Sequence, residues 1–357
     1  MTRADIKCLV WDLDNTLWQG TLLEGGGECL LPEAERVVRN LDRRGILQSV
    51  ASKNDHAVAW RRLECLGIAD YFLHPQISWQ SKAKSIAIIA EKLGLGLNTF
   101  AFIDDQPAER AEISFMLPEV SVYDAVELPG ILTLPEFNPR FVTVDSSNRR
   151  SMYQADGARK AAEESFEGAR DRFLASLDMR LTVRRASPQD LARAYELTLR
   201  TNQLNTGGRT YSIEELETLC ASPYHIVLVA ELSDRFGSSG TIGLSLIETS
   251  GKAWTIQLFI MSCRVLSRGV GSVLLGYVLR FARLRGVTLR ADFVPTGRNQ
   301  PMLVTYKFAG FRQVGEEAGG VLKLEHDYKR MPPIPIYMTV VDQLRAFPDE
   351  SGFAITN

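Results

Sequence analysis

The sequence predicts two domains, an N-terminal α/β domain with a parallel sheet and a C-terminal α+β domain. A chain of 357 residues is long enough for two domains. In its first part, apolar strand-like runs alternate with helical segments, which is typical of a parallel sheet covered by helices. In its second part, three strand-like runs follow one another before the next helix, which indicates α+β structure. We place the domains at 1–147 and 179–325, with a helical linker at 148–178 and a C-terminal tail at 326–357.

The composition excludes several classes of protein. With 45% hydrophobic and 24% charged residues, the chain has the composition of an ordinary globular protein. Its net charge of −2 provides no basic field for nucleic acid, and no apolar run approaches the ~18 residues that cross a membrane. The odd number and wide spacing of the cysteines argue against a disulfide framework and a zinc site, so we expect a cytoplasmic protein. The cysteines are Cys8, Cys29, Cys65, Cys220 and Cys263.

Each element of the first domain has a local signal. The strands are short apolar runs, and the first helix begins on a proline and ends at a glycine. Polar side chains follow the ends of three strands, namely Asp12, Ser52 and Asp104. Because ligands of parallel sheets bind beyond the carboxyl ends of the strands, we expect these side chains to share one site. The predicted strands are 6–11, 46–52 and 100–103, and the predicted helices are 32–44, 55–67 and 80–93.

The second domain begins in the run LTVRRAS, which starts at residue 181. The last stretch, KRMPPIPIYM, predicts an irregular cover. The predicted strands are 225–232, 241–248, 253–261 and 287–294, and the predicted helices are 187–200, 269–285 and 299–309.

Two aspartates stand directly after the first strand, in the run KCLVWDLDNTLWQG. Two ionised carboxylates at the end of a buried strand are costly unless a cation compensates them. Aspartate oxygens, water and a phosphate group are ligands that suit Mg²⁺. With such a metal in place, Asp12 can attack phosphorus and form an aspartyl-phosphate. Asp14 can protonate the leaving group and then activate water.

Later polar residues supply what this phosphate chemistry needs. Ser52 can donate a hydrogen bond to a phosphoryl oxygen, and Lys53 and Asn54 follow it in the run SVASKND as further substrate-binding candidates. Asp104 and Asp105, in FIDDQPAER, can complete a metal shell with the two aspartates of the first run. A lysine in WQSKAKS can neutralise the phosphate and the nucleophile.

The order of these motifs, DxDxT after an apolar strand, serine, lysine and DD, resembles that of the haloacid-dehalogenase (HAD) superfamily phosphatases. Both Lys82 and Lys84 lie near the place of the family's lysine, and we favour Lys82 because its spacing from Trp79 matches the subfamily. Ser52 follows Asp12 by 40 residues and Lys82 follows Ser52 by 30, which leaves no room for a cap domain. The resemblance implies an uncapped, Mg²⁺-dependent HAD-like fold that is open to large substrates.

A second constellation lies in the run SCRVLSRGVGSVLL, residues 262–275. It follows a strand and opens a helix, so its N–H groups can face an anion that Gly269 and Gly271 allow to approach. With Asn299 and Tyr306 of the later run NQPMLVTYKFAGF, it resembles the acyl-CoA motifs of the GNAT acyltransferase fold. That resemblance implies a GNAT-like fold in which the loop binds a pyrophosphate and the tyrosine protonates a thiolate. The sequence departs from the motif at Leu266, which weakens the expectation of acetyl-CoA use.

The combination of the two domains resembles the FkbH-like proteins of polyketide biosynthesis. The blocks that carry this resemblance are VWDLDNTLW, ASKND, FIDDQPAER, RTNQLNTGGR, MSCRVLSRGVG and PTGRNQP, and they extend over roughly residues 5 to 320. The resemblance implies an enzyme that takes a glyceryl unit from 1,3-bisphosphoglycerate, removes phosphate and loads the unit onto an acyl carrier protein as a thioester. Some members of the family carry the unit transiently on a cysteine of their own.

Cys263 is the candidate for that cysteine, because it lies beside the cations Arg264 and Arg268, which favour a thiolate. A buried structural cysteine is the alternative. The polar run RTNQLNTGGR either is a plain loop or lines an acyl-transfer site. Its candidate side chains are Asn202, Gln203, Asn205 and Arg209.

Three functions remain open at this point. The first is the bifunctional phosphatase and glyceryl transferase. The second is a Mg²⁺-dependent phosphatase whose second domain only binds a carrier protein. The third is an acyl-CoA-dependent N-acetyltransferase with an accessory HAD domain, which tight binding of acetyl-CoA would favour.

Overall fold

The structure is a computed structural model that describes residues 5–25, 29–201 and 203–344, and the side chains of Arg200 and Cys263 lie outside this description. The chain forms two compact units that divide between Ala158 and Arg159. In the described part of the chain, no helix is both long enough and apolar enough to cross a bilayer.

Unit 1 contains a parallel sheet with helices between its strands. The strands are β1 Cys8–Trp11, β2 Leu47–Ser52, β3 Gln76–Ile77, β4 Phe100–Asp104 and β5 Ser121–Asp124. The helices are α1 Pro32–Arg43, α2 His56–Cys65, α3 Lys82–Leu93, α4 Pro107–Met116, α5 Leu128–Ile131 and α6 Val144–Ser147, and α7 Arg149–Glu164 crosses the division between the units. The strand order is β3-β2-β1-β4-β5, and all pairs are parallel. The predicted α/β class is therefore confirmed.

The central strand β1 explains why the site lies where it does. All four of its residues are buried, as expected of a parallel strand covered on both faces. Leu9 and Trp11 face one apolar cluster, and Cys8 and Val10 face another, so the strand is packed from both sides. Within the described residues, the connections from β1 to β2 and from β2 to β4 contain only short helices and β3, with no inserted cap domain.

Helix α1 follows the periodicity that the sequence predicted. Its buried residues are Ala34, Val37, Val38 and Leu41, which recur on one face. The turn that follows needs a glycine at position 45, where φ is +71°. A Cβ at Gly45 would also lie 2.2 Å from the carbonyl oxygen of Ser146, so no other residue fits without movement of the backbone.

Unit 2 contains one mixed sheet of eight strands. The strands are β6 Met179–Arg185, β7 His225–Asp234, β8 Gly237–Ser250, β9 Ala253–Met261, β10 Thr288–Phe293, β11 Phe311–Glu317, β12 Val321–His326 and β13 Met338–Asp342. The helices are α8 Arg170–Ser176, α9 Leu191–Arg200, α10 Ile213–Ala221, α11 Val270–Leu284 and α12 Gln300–Phe308. The strand order is β11-β12-β10-β9-β8-β7-β6-β13, with parallel pairing of β9 with β10 and of β6 with β13. This is the predicted α+β class.

The two edge strands of this sheet were not predicted from the sequence. In β11 only Phe311 is buried, so the strand lacks the alternation of apolar and polar residues that marks a half-buried strand. At the other edge, β13 lies in the segment that we predicted as tail, and it pairs with β6 from Met338 to Asp342. The proline-rich residues 329–337 before it are irregular, as predicted.

Candidate active site

Three aspartates meet at the carboxyl end of the sheet in unit 1. Asp12 directly follows β1, and Asp104 is the last residue of the neighbouring strand β4. Asp12, Asp104 and Asp105 each offer a carboxylate oxygen, and these oxygens lie within 4.8 Å of one another. The parallel register of β1 and β4 thus brings together side chains that are distant in the chain.

Lys82 lies against this group of aspartates. As the first residue of α3 it is 3% exposed, and its Nζ is 2.8 Å from Oδ1 of Asp12 and 2.5 Å from Oδ2 of Asp104. Ser81 caps the helix and accepts a hydrogen bond from the backbone N–H of Lys84, whose side chain is exposed. The structure therefore brings Lys82, and not Lys84, to the carboxylates.

The electrostatics of the group follow from its burial. Burial raises the pKa of Asp12 to about 7, although the ammonium of Lys82 acts to lower it. Burial also raises the pKa of Asp105. For Lys82, burial acts to lower the pKa, but the carboxylates of Asp12 and Asp104 outweigh it and leave the pKa raised. Ionised carboxylates at this position therefore need additional positive charge.

The residues present fit a divalent metal ion. When ionised, three carboxylates and one ammonium leave two negative charges in a largely buried site, which one Mg²⁺ would balance. Oδ1 of Asp105 is buried and has no hydrogen-bond partner among the described residues. Carboxylate oxygens are also the ligand type that Mg²⁺ prefers. Asp12, Asp104 and Asp105 are therefore the residues that would hold the ion.

Asp14, the fourth metal ligand that the sequence predicted, is not in this group. Its Oδ1 accepts hydrogen bonds from Nε1 of Trp18 at 2.8 Å and from the backbone N–H of Leu22 at 3.0 Å. Its Oδ2 accepts one from Nδ2 of Asn54 at 3.1 Å. The structure thus separates the roles of the two aspartates of the first motif, because the turn after β1 directs Asp14 to other partners.

The end of β2 supplies the next predicted residues. Ser52 is buried, and its Oγ lies 3.2 Å from Nδ2 of Asn54, which also reaches Asp14. The side chain of Lys53 donates to Oε1 of Glu109 at 2.7 Å. Ser52 and Asn54 therefore adjoin Asp14, whereas Lys53 is held by an acidic partner on α4.

Two further residues support this site. Thr16 is the last residue of the DxDxT motif but was not predicted as a site residue, and Trp18 was not predicted either. Oγ1 of Thr16 accepts a hydrogen bond from the backbone N–H of Asp105 at 3.1 Å, which ties the two acidic motifs together. Trp18 is fully buried and contacts Asp14. Their presence two and four residues after Asp14, in a run that already contained two aspartates, was the available signal.

In unit 2, Asn205 and Asn299 are brought together, but both serve the fold. The fully buried Asn299 donates from Nδ2 to the carbonyls of Asn205 at 2.9 Å and Val294 at 2.8 Å. Oδ1 of Asn205 accepts from the backbone N–H groups of Gly207 at 3.0 Å and Gly208 at 3.2 Å. These contacts use both N–H donors of the Asn299 amide and the carbonyl oxygen of the Asn205 amide.

The same segment fills the gap where β9 and β10 diverge. Leu204 accepts a hydrogen bond from the backbone N–H of Met261 at 3.0 Å, and Thr206 donates to the carbonyl of Phe259 at 3.1 Å. The carbonyl of Thr206 accepts from the N–H of Val294, just after β10, at 2.9 Å. Asn205 forms an isolated antiparallel β-bridge with Ile260, so the segment 204–206 lies beside the end of β9.

The other residues of the polar run have different surroundings. Asn202 lies outside the described residues, and Gln203 is exposed. Arg209 is exposed, and its guanidinium stacks 4.0 Å from the ring centre of Tyr211 and lies 3.7 Å from Glu215. The structure therefore does not gather these four side chains into one group among the described residues.

The arginines after β9 contact the start of β8. Arg268 is buried, donates to Oγ of Ser239 at 3.2 Å and lies 3.6 Å from Oδ2 of Asp234. Arg264 donates to the carbonyl of Ser239 at 3.3 Å. Cys263 begins the short 3₁₀ helix Cys263–Arg268, and its side chain lies outside the described part. Both arginines therefore contribute to holding this loop.

The predicted glycines and tyrosine have distinct environments. Gly269 has φ +72° and ends the 3₁₀ helix before α11 begins, whereas a Cβ at Gly271 would lie 3.7 Å from its nearest neighbour, Met261. Tyr306 is fully buried, and its ring lies 5.1 Å from that of Phe311. Burial raises the pKa of Tyr306.

Comparisons with known proteins find solved structures that are similar to parts of the chain. No family model and no curated protein matches it. Among solved structures, the chain is similar to the N-terminal part of protein BF1531 from Bacteroides fragilis, described as containing a phosphatase domain complexed with Mg. The identity is 29% and the TM-score 0.34, over 38% of this chain. The match spans only 40% of that protein's length.

Acetyltransferases are the other group of similar structures. The ribosomal-protein-S18-alanine N-acetyltransferase of Escherichia coli is 15% identical over 41% of this chain and 90% of its own, with a TM-score of 0.32. The PaiA N-acetyltransferase of Thermoplasma acidophilum, in complex with coenzyme A, is 17% identical over 42% of this chain and 99% of its own, with a TM-score of 0.35. Because these TM-scores are low, the fold class of each unit rests on its own strand order and side chains.

Proposed function

We propose that unit 1 is a Mg²⁺-dependent phosphatase of the HAD type. The observation that carries this proposal is the position of Lys82, whose ammonium contacts both Asp12 and Asp104 at the carboxyl ends of adjacent parallel strands. An ammonium and a carboxylate nucleophile in contact are what attack on a phosphate dianion needs, since the cation offsets the repulsion between two anions.

The proposed reaction has two steps. A carboxylate oxygen of Asp12 attacks phosphorus, the bond to the leaving oxygen breaks, and Asp14 gives that oxygen a proton. Water then attacks the aspartyl-phosphate, Asp14 takes the proton of the water, and phosphate leaves with Asp12 restored. Ser52 donates to a phosphoryl oxygen. Mg²⁺, when bound by Asp12, Asp104 and Asp105, supplies positive charge to the phosphoryl oxygens.

Phosphate release from a phosphomonoester tests this proposal. The wild type is compared with Asp12→Asn in the presence of Mg²⁺, with the fold of both proteins checked by circular dichroism. We expect the variant to lose turnover, because an amide oxygen does not form the phosphoenzyme. Unchanged turnover in Asp12→Asn would contradict the proposal.

For the whole chain we propose transfer of a glyceryl unit from 1,3-bisphosphoglycerate to an acyl carrier protein. The thiolate of Cys263 attacks the carbonyl carbon of the acyl-phosphate, the bond to that phosphate oxygen breaks, and a thioester and inorganic phosphate result. Before or after this step, unit 1 hydrolyses the 3-phosphate through Asp12, which releases a second phosphate and leaves the unit as glyceryl. The thiol of the carrier's phosphopantetheine arm then takes the acyl group and returns the thiol of Cys263. The sequence blocks that resemble the FkbH-like proteins support this finer assignment.

Intact-protein mass spectrometry tests the transfer step. Wild type and Cys263→Ala are mixed with Mg²⁺ and 1,3-bisphosphoglycerate generated in situ. A glyceryl adduct on the wild type alone supports covalent transfer through Cys263. Phosphate release without an adduct on either protein favours the second function, a phosphatase whose unit 2 only binds the carrier. One observation favours this second function. Unit 2 uses three of the predicted binding side chains for contacts within its own fold, namely Arg268, Asn205 and Asn299.

A further inference from the structure

The carboxylate of Asp14 is held by donors on both of its oxygens. Nε1 of Trp18 and the backbone N–H of Leu22 donate to Oδ1, at 2.8 and 3.0 Å. Nδ2 of Asn54 donates to Oδ2 at 3.1 Å. A carboxylate with donors on both oxygens has one preferred orientation, since rotation about its side-chain bonds would break at least one of these bonds.

Trp18 is fully buried, and the hydrogen-bond acceptor of its indole N–H is an ionisable side chain. A buried indole N–H needs an acceptor, and any acceptor in the core satisfies it. Trp11 is equally buried, and its Nε1 donates to Oε1 of Gln48 at 3.1 Å, away from the reacting groups. Trp18 instead donates to an ionisable side chain that stands two residues after Asp12.

The turn that carries Trp18 is itself fixed. Asn15 has φ +53°, and its Oδ1 accepts a hydrogen bond from the backbone N–H of Gly20 at 3.0 Å. The N–H of Asn15 donates to the carbonyl of Gly20 at 3.3 Å, which closes the turn. Leu31 then donates to the carbonyl of Leu17 at 3.0 Å. The indole is therefore presented from a closed turn, as precise orientation of a reacting group requires.

Asn54 approaches Asp14 from the opposite side. It is 2% exposed, and the same Nδ2 that reaches Asp14 lies 3.2 Å from Oγ of Ser52. One amide group therefore contacts both the residue proposed to move the proton and the residue proposed to bind the phosphoryl group. It fixes their relative position across two motifs that are 40 residues apart.

We propose that Trp18 and Asn54 are positioning residues that orient Asp14 for proton transfer to the leaving oxygen. This inference rests on the proposed phosphatase function. Proton donation by an oriented acid contributes about 10²- to 10⁴-fold to rate, and it matters only when the leaving group needs the proton. Loss of the orientation therefore slows formation of the phosphoenzyme from substrates with an alkoxide leaving group. Substrates whose leaving group departs as a stable anion are affected only in the shared second step, in which Asp14 activates water.

The test compares two substrates, 3-phosphoglycerate and p-nitrophenyl phosphate, with Mg²⁺ and the full chain. The alkoxide of the first needs a proton, whereas the nitrophenolate of the second departs without one. The comparison uses kcat/KM, which reports the steps up to cleavage of the bond to the leaving oxygen and not hydrolysis of the phosphoenzyme. For Trp18→Phe we expect kcat/KM to fall by about tenfold or more with 3-phosphoglycerate and by about twofold or less with p-nitrophenyl phosphate. The affinity for inorganic phosphate should change little, because the phosphate contacts remain.

Trp11→Phe is the matched control, since it makes the same substitution at an equally buried site whose N–H serves the core. We expect Trp11→Phe to change kcat/KM by the same factor for both substrates. Equal losses on both substrates in Trp18→Phe, as in the control, would overturn the inference while leaving the phosphatase proposal intact.

Asn54→Ala tests the inference independently if Trp18→Phe does not fold. We expect a loss shared by both substrates, through Ser52, and a further loss of kcat/KM with 3-phosphoglycerate alone. Equal losses on both substrates would count against the inference. A wild type that releases no phosphate from either substrate, under conditions in which it binds Mg²⁺, would instead contradict the proposed function on which the inference rests.

Discussion

The ammonium of Lys82 lies 2.8 Å from Oδ1 of Asp12, although 70 positions separate the two residues in the chain. The contact exists because β2 and β1 are neighbours in the sheet and α3 begins shortly after β3, next to β2. Removing one partner of such a buried ion pair leaves an uncompensated buried charge. The loss of stability is then far larger than the net contribution of the intact pair.

Lys82→Ala should therefore impair both stability and turnover. Since the partners Asp12 and Asp104 would remain buried, we expect a loss of about 3 kcal/mol in the free energy of unfolding, together with loss of phosphate release. Urea unfolding and a phosphate assay measure the two effects. Lys84→Ala is the control, because the Lys84 side chain is exposed and only two residues away. Equal effects of the two substitutions would contradict the assignment of the buried lysine.

Magnesium should stabilise unit 1 through three aspartates and not through a fourth. A ligand present at 100 times its dissociation constant raises the free energy of unfolding by about 2.7 kcal/mol. We expect Mg²⁺ to raise the melting temperature of the wild type and of Asp14→Asn, and to have much less effect on Asp105→Asn. Asp14→Asn should still lose turnover of alkyl phosphates. If Mg²⁺ did not raise the melting temperature of Asp14→Asn, the result would show that Asp14 is a metal ligand.

Gly45→Ala should destabilise unit 1 more than a positive φ alone explains. Gly67 has nearly the same φ, +70°, but a Cβ there meets no atom within 4 Å, whereas at Gly45 it meets the backbone of Ser146. We expect Gly67→Ala to cost about 1–2 kcal/mol for the left-handed backbone and Gly45→Ala to cost clearly more. Denaturant midpoints of the two variants measure the difference. Similar midpoints would show that Ser146 moves aside at little cost.

Unit 2 should lose part of its stability in acid through Asp190. Burial acts to raise the pKa of this carboxyl, but hydrogen bonds from Arg184 and Ser187 outweigh it and leave the pKa lowered. A lowered folded-state pKa stabilises the fold above the ordinary carboxyl pKa of about 3.9, and this contribution disappears as the pH falls through the folded-state value. The ion pair of Arg184 with Asp190, with N···O 2.6 Å, is the main contact involved.

Asp190→Asn therefore tests this pH dependence. We expect the variant to be less stable than the wild type at pH 7, and the difference to shrink as the pH falls below about 4. Unfolding by urea at several pH values measures it, with Glu217→Gln, at an exposed position of α10, as the control. A difference that stays constant with pH would show that the ion pair does not set the pKa.

The sequence was a good guide to backbone topology and to residues at strand ends. Asp12, Ser52 and Asp104 could be located because parallel strands gather their carboxyl ends at one edge. The direction of a side chain could not be predicted in the same way. Asp14 was predicted as a metal ligand. In the structure its carboxylate accepts hydrogen bonds from Trp18, Leu22 and Asn54.

In unit 2, the roles of polar loop residues could not be predicted from the sequence. Asn299 and Arg268 are polar residues in glycine-containing loops, which is the pattern of a ligand site. The structure uses both side chains to tie the loops to the sheet. A sequence does not distinguish a polar residue that binds a ligand from one that satisfies buried backbone groups, because both need the same donors and acceptors.

The β-bridge between Asn205 and Ile260 has a consequence for ligands that would pair with the end of β9. An extended ligand that adds to this edge has to displace a segment of the same chain, and a tethered segment is present at an effective concentration in the millimolar range or above. A free small molecule at micromolar concentration competes poorly against it. The segment 204–206 therefore protects the end of β9 against extended ligands that are free in solution.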